Sequence, residues 1–139
     1  MPNVLAPFIT LLLATSSSVS GVQPDVSNVV SGGYWTAAGQ SGIYRVVIVS
    51  GGFEHVVSRA YVEWIADPRS EQDEPKIVAV VEPDLPFGKA VARFDATLQS
   101  AGTGKARIVL SGVNSSLPDQ KVRAVLIATS PGQVTSNGG

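Results

Sequence analysis

One histidine and a few carboxylates are the residues whose types could support catalysis. His55, the only histidine of the chain, follows Glu54, so a Ser-His-acid triad would have to use this imidazole as its base. No G-x-S-x-G sequence, which places a serine nucleophile on a sharp turn in α/β-hydrolases, is present. Glu54, Glu63 and Glu82 could pair for glycoside hydrolysis, but β-proteins in general offer such pairs. We therefore expect that the chain is not an enzyme.

Patterns for binding metal ions and phosphate are also incomplete. The chain has no cysteine and one histidine, which is too few nitrogen and sulfur ligands for a zinc site. The carboxylates of the charged run 67–76 could ligate calcium, but their spacing matches no EF-hand loop. The sequence GTGK at 102–105 resembles the end of a phosphate-binding loop, yet Gln99 stands where the first glycine is required. We expect a hairpin turn there, and no metal or cofactor.

The overall composition argues against nucleic acid and membrane as partners. The net charge is −1 and charged residues make up 15% of the chain, so no basic footprint for nucleic acid is visible. The run FITLLLA, residues 8–14, is far shorter than the roughly 20 residues that a membrane-spanning helix needs. A length of 139 residues is that of one domain with a substantial core.

The stretch of residues 43–65, IYRVVIVSGGFEHVVSRAYVEWI, predicts a β-hairpin around which the other strands are arranged. Its second half alternates between apolar and charged residues, with Val62 and Trp64 on one face, as in a half-buried strand. Its first half is apolar on almost every position, which indicates a central strand or one that is covered on both faces. Gly51 and Gly52 predict a tight turn between the two strands.

Four later runs of apolar residues also predict strands, and Gly or Pro turn sequences separate them. These runs are residues 77–81, 90–98, 105–110 and 121–128. No stretch of the chain has a helical period. The pattern predicts an all-β protein with a single β-sandwich or jelly-roll-like domain of about six to eight strands. Periodicity leaves the choice between jelly-roll and immunoglobulin topology open, because it does not reveal the order of the strands in the sheets.

The first part of the chain differs from the rest and predicts an extended N-terminal arm. Residues 1–33 hold a single charge, at Asp25, and several prolines, but they are richer in apolar residues than a disordered tail. An apolar segment of this kind marks an interaction surface. We divide the chain into this arm, a β-sandwich domain at 34–130 and a polar tail at 131–139. The residues predicted to dock on a neighbour are Val4, Leu5, Phe8, Ile9, Leu11, Leu12 and Leu13, joined by Tyr34 and Trp35 where the arm meets the sandwich.

The layout of NVVSGGYW leading into GIYRVVIVSGGFEHV, an apolar arm before a compact cysteine-free β-domain, resembles bacteriophage head decoration or cement proteins. The resemblance implies a β-sandwich or jelly roll that sits on the capsid lattice as a trimer or another homo-oligomer. It also implies that an extended arm ties neighbouring subunits together. We therefore expect a structural protein of the virion whose partners are capsid subunits and copies of itself.

A second interpretation assigns residues 8–14 to the hydrophobic region of a signal segment, followed by serines at a cleavage zone. The chain would then be a secreted or periplasmic immunoglobulin-like β-sandwich module for binding, adhesion or a chaperone function. No Lys or Arg precedes Arg45, so the basic start of a signal peptide is missing. A mature N-terminus near Gly21 would distinguish this interpretation from the first.

Overall fold

The computed structural model describes residues 25–87 and 92–137, which form eight β-strands in two antiparallel sheets. The prediction of an all-β sandwich is confirmed. The strands are β1 (Val26–Ala37), β2 (Gln40–Gly51), β3 (Val57–Ala66), β4 (Lys76–Val81), β5 (Ala92–Ser100), β6 (Ala106–Asn114), β7 (Lys121–Ala128) and β8 (Val134–Asn137). In residues 25–87 and 92–137 no helix is long and apolar enough to cross a membrane.

Each sheet consists of four strands that are consecutive in the sequence. The first sheet has the order β1-β2-β3-β4 and the second has the order β5-β6-β7-β8. Jelly rolls and immunoglobulin domains instead exchange strands between their two sheets. Across the residues that the structure describes, the fold is therefore a pair of meanders, and its strand order belongs to neither of the two topologies.

The hairpin predicted from residues 43–65 is present as β2 and β3. Tyr44 pairs with Trp64 and Val46 with Val62, and β2 lies between β1 and β3, so it is the central strand that its apolar faces indicate. The predicted tight turn at Gly51-Gly52 is wrong, because Gly51 still pairs with Val57 and the connection is a loop over residues 52–56. The chain places its two-residue turn between β1 and β2 instead, at Ala38-Gly39, where both φ angles are positive as a type I′ turn requires.

Both sheets contribute to one core. The inward side chains of β2 and β3 include Tyr44, Ile48 and Trp64, each with no exposed surface, and they face Ile108 and Leu110 of the second sheet. The pleat of a β-strand explains which side chains point inward, because alternate residues of each strand point to the same side.

Two glycines allow strands to approach closely. A Cβ atom added to Gly42 would lie 1.7 Å from the carbonyl oxygen of Ile65, and one added to Gly112 would lie 1.8 Å from that of Arg93. Neither position accepts a side chain unless the paired backbone shifts.

Strand β1 begins inside the stretch predicted as the arm. Residues 26–33 form its first part and pair with β2 from Val49 to Tyr44. The sequence pattern missed this strand because Gly32 and Gly33 interrupt the alternation, and Gly33 has a φ of +66° where the register with β2 shifts. Strand β8 likewise lies in the stretch predicted as a polar tail, and it adds four residues to the edge of β7.

Candidate docking surface

The residues that could support catalysis lie in an exposed loop and in two ion pairs of the first sheet. His55 and Glu54 are exposed in the loop between β2 and β3. Glu63 accepts a hydrogen bond from Arg45 across the β2–β3 pair. Within residues 25–87 and 92–137, no three His, Cys, Asp or Glu residues lie close enough together to hold a metal ion.

The remaining candidate carboxylate, Glu82, belongs to a surface ion pair. The guanidinium of Arg59 donates to both of its carboxylate oxygens, with distances of 2.8 Å from Nε and 2.7 Å from Nη2. This hydrogen bonding lowers the pKa of Glu82 and raises the pKa of Arg59. The ion pair joins β3 to the segment that follows β4.

The residues predicted to mediate docking have different positions in the chain's structure. Tyr34 lies in the second half of β1 and is 54% exposed. Trp35 has no exposed surface, and its indole N–H donates to the carbonyl of Ile43 at 3.0 Å. Trp35 therefore packs in the core of its own chain, because the register shift in β1 turns its ring inward. The other predicted docking residues lie outside the described residues: Val4, Leu5, Phe8, Ile9, Leu11, Leu12 and Leu13.

The strand β4 forms an apolar edge of the first sheet, which we call the β4 edge (residues 76–81). It pairs with β3 on one side, and in the described part of the chain no strand lies on its other side. Ile77, Val78 and Val80 are 50%, 39% and 51% exposed. Edge strands are usually short, charged or covered, because their free N–H and C=O groups can pair with another chain. Here Lys76 and a register shift at Val78 limit such pairing, but five consecutive apolar residues remain.

The surface of the first sheet that faces away from the core, which we call the outer face, continues the β4 edge. Cross-strand pairing aligns Ile43 of β2, Ile65 of β3 and Ile77 of β4 in one row. A second row joins Val29, Val47 and Tyr61 on β1, β2 and β3. The Arg45–Glu63 ion pair lies between the two rows. The Arg59–Glu82 ion pair lies beside Tyr61 on the same face. An apolar surface interrupted by a few ion pairs is typical of an interaction site.

The edges of the second sheet are closed by other means. The backbone N–H of Ala96 in β5 donates to Oδ1 of Asn28 at 3.0 Å, and that of Phe94 donates to Oγ of Ser58 at 3.3 Å. Two side chains of the first sheet thus accept hydrogen bonds from two backbone N–H groups of β5. Strand β8 is four residues long, and three of its four residues are exposed and polar. Among the edge strands of residues 25–87 and 92–137, β4 has the most exposed large hydrophobic residues.

A smaller exposed apolar site lies at the end of the sandwich that carries the β2–β3 loop. Phe53 is fully exposed in this loop, and Leu117 is 60% exposed in the loop between β6 and β7. The hydroxyl of Ser115 donates to the carbonyl of Val56 and holds the two loops together. A shallow cavity with Glu54 and Pro118 in its lining lies between them.

Sequence reasoning identified residues 77–81 as an apolar strand but did not identify it as a free edge. The signal was present in part, because Pro75 and Pro83 flank the run and proline in sheets is confined to edge strands and strand ends. The order of the strands in a sheet decides which strand is an edge, and the alternation of residues along one strand does not reveal that order. Comparisons of the chain with protein-family models, with curated proteins and with solved structures gave no match.

Proposed function

We propose that this protein is a non-enzymatic assembly subunit, of the decoration or cement type in a phage capsid, whose N-terminal segment docks on neighbouring subunits. The observation that carries the proposal is the exposed β4 edge together with the apolar outer face. Its partners are then capsid subunits and further copies of itself, in a trimer or another homo-oligomer of the virion.

The energetics of the β4 edge favour association over exposure. Full burial of an aliphatic side chain stabilises by about 1.5–3 kcal/mol. Ile77, Val78 and Val80 are each roughly half exposed, so covering them contributes about 1 kcal/mol per side chain. A stable interface buries about 1,200–2,000 Å² in total, so the edge needs the neighbouring outer face and an apolar partner segment in addition. The N-terminal segment with Phe8, Ile9 and Leu11 has the composition of such a partner.

The oligomeric state tests the proposal. Light scattering after gel filtration should give a defined oligomer, or larger assemblies, for the full chain. Leu11→Asp/Leu13→Asp in the full chain should give a folded monomer, because two charges cannot be buried in an apolar contact. Deletion of residues 1–24 should have the same effect, and it must end there because β1 begins at Val26.

A monomeric full chain at all concentrations would contradict the proposal. A cement role adds a second requirement, since bound subunits stabilise a shell by mass action. Phage particles that carry the protein should release their genome at a higher temperature than particles from which its gene has been deleted. Equal release temperatures would remove the capsid part of the proposal and leave self-assembly.

The second candidate function, a secreted or periplasmic binding module, is favoured by the exposed Phe53 and Leu117. Loops at one end of a β-sandwich often carry ligand contacts, because the sheets hold them rigidly. Mass spectrometry of the protein from its native host separates the two candidates. A mature N-terminus near Gly21 would support the binding module, and a chain that retains residues 8–14 would support the assembly subunit.

A further inference from the structure

We propose that residues 8–14 of one copy pair with the β4 edge of a second copy and extend its first sheet by a fifth strand. This inference rests on the proposed assembly function and names the site where the N-terminal segment docks. Addition of a strand to a sheet edge gains main-chain hydrogen bonds, while the alternate side chains give specificity.

The length and composition of the two partners match. The β4 strand has six residues, and the segment FITLLLA has seven, without charge or proline. In an extended conformation Ile9, Leu11 and Leu13 lie on one side, and Phe8, Thr10 and Leu12 lie on the other. A strand beside β4 needs apolar residues on both sides, because one side continues the outer face and the other continues the core.

The side chains of β4 define these two environments. On the outer face, Val80 pairs with Glu63 and Ile77 pairs with Ile65, and both are half exposed. On the core side, Ala79 and Val81 pack against the buried cluster but remain partly exposed. An added apolar strand covers both pairs of side chains at once, which neither a polar strand nor a strand with a single apolar face can do.

The other sheet edges are poorer acceptors for this segment. On β5, Asn28 and Ser58 already accept hydrogen bonds from two of its amide groups. Strand β1 contacts β5, so part of the second sheet lies against it. Strand β8 presents Thr135, Ser136 and Asn137. An apolar strand placed there would gain hydrogen bonds without covering apolar surface.

The position of the chain's entry into the sheet favours a second copy over the same copy. The carbonyl of Asp25 accepts a hydrogen bond from Ser50 N, so β1 starts at the end of the sheet that carries the β2–β3 loop. The β4 edge pairs only with residues 62–66 of β3, toward the opposite end and on the opposite side of the sheet. To reach its own β4, the chain would lay residues 15–24, TSSSVSGVQP, across the apolar outer face.

That intervening run suits a span through solvent between two subunits. Serine, glycine, glutamine and proline dominate it, so it gains little from burial against valine and isoleucine. Ten extended residues reach about 33–36 Å, which is enough to bridge adjacent subunits of this size. Two copies that exchange their segments form a closed dimer, and a head-to-tail exchange closes a ring such as a trimer.

Cysteine trapping tests the pairing directly, because the natural chain contains no cysteine. One full-length chain carries Leu11→Cys, and a second carries Ile77→Cys, Val78→Cys or Val80→Cys. The two chains are mixed, oxidised and digested, and mass spectrometry identifies the disulfide-linked peptides. Thr97→Cys, at an exposed position on β5, is the matched control. We expect disulfides between position 11 and at least one β4 position, several-fold above those formed with position 97.

The outcomes separate this inference from the proposed function. An oligomeric full chain without disulfides between position 11 and β4 overturns the inference and leaves the assembly function standing. A monomeric full chain overturns both. A monomer in which Leu11→Cys and Val80→Cys on the same chain form an internal disulfide also overturns the inference, because the segment then covers its own β4.

A charged residue introduced at the β4 edge provides an independent test of docking there. Val80→Lys alters a half-exposed side chain, so the fold should persist while the oligomer dissociates at higher concentration than the wild type. Thr97→Lys is the control, since Thr97 is exposed on β5 of the second sheet, away from the β4 edge and the outer face. Hydrogen exchange of the β4 amide groups should become slower with rising concentration in the wild type and in Thr97→Lys, but not in Val80→Lys. Equal behaviour of the two variants would contradict docking at β4.

Discussion

The hydroxyl of Tyr44 connects the core of the first sheet to two turns of the second. Its oxygen lies 2.9 Å from the carbonyl oxygen of Gly104 and 2.9 Å from that of Thr129. The indole N–H of Trp64 also donates to Thr129, at 2.9 Å. A hydroxyl has one proton and donates to one carbonyl at a time. The carbonyl of Thr129 already accepts a hydrogen bond from Trp64, so the hydrogen bond to the carbonyl of Gly104 is the one that depends on Tyr44.

Tyr44→Phe should lower the free energy of unfolding by about 1–2 kcal/mol, because it removes the donor and keeps the ring in the core. Urea unfolding at pH 7 measures the difference. Tyr61→Phe, on the partly exposed outer face, is the control and should change the free energy by less than about 0.5 kcal/mol. Equal losses in the two variants would show that the hydroxyl of Tyr44 contributes nothing specific.

The same variant should alter the response to alkaline pH. Burial raises the pKa of Tyr44 above its ordinary value of 10.0, so the folded protein holds this proton more tightly than the unfolded chain does. The stabilisation is fully present below pH 10.0 and is lost as the pH rises through the higher pKa of the folded state. The difference in stability between wild type and Tyr44→Phe should therefore shrink above that pH.

Among the strands, the capping of β5 by side chains of the first sheet distinguishes a closed edge from the open β4 edge. Asn28 on β1 and Ser58 on β3 accept hydrogen bonds from amide groups of β5. Strand β5 contacts β1, β2 and β3, so these caps also fix how the two sheets lie against each other. An amide group that is satisfied in this way is not available for pairing with another chain.

Asn28→Ala should destabilise the protein by about 1–3 kcal/mol, because it leaves the partly buried N–H of Ala96 without an acceptor. Thermal or urea unfolding gives the free energy, and hydrogen exchange should become faster at Ala96. The control is Asn137→Ala, at an exposed position on β8. If exchange at Ala96 is unchanged, the side chain of Asn28 does not protect this edge.

Strands with regular alternation were predictable, and strands with irregular backbone were not. The predictions for β3, β5, β6 and β7 rest on apolar residues at every second position, and those for β2 and β4 rest on continuous apolar runs. The structure confirms all six strands. Strand β1 contains two glycines and a register shift, and β8 is short and polar, so neither shows this pattern. Their pairing with β2 and β7 supplies the stabilisation that their own sequences do not indicate.

The molecule as a whole consists of two sequence-consecutive meanders that share one core. Each sheet leaves an apolar face that only the other sheet covers, from Trp35 and Trp64 in the first to Ile108 and Leu126 in the second. A single four-stranded meander would expose this face to water. The two halves should therefore fold together although, in the described strands, the chain passes from one sheet to the other once.

Unfolding should be a single cooperative transition. Both tryptophans lie in the first sheet and pack in the core that it shares with the second. Their fluorescence therefore reports the packing of the two sheets against each other, whereas far-ultraviolet circular dichroism reports the strands of both. The two signals should give the same midpoint in urea. A dichroism transition that extends beyond the fluorescence transition would show that strand structure survives the separation of the sheets.

The sequence by itself determined the all-β class, most of the strands and the apolar character of residues 8–14 and 77–81. The strands follow from side chains that alternate between two faces, a pattern that neighbouring residues reveal. The apolar character of the two runs follows from their composition. Only the tertiary structure decided that Trp35 is a core residue, that the two sheets are consecutive meanders and that β4 is an edge among the described strands. Burial and edge position depend on which strands are neighbours, and strand neighbours are set by long-range pairing and packing rather than by local periodicity.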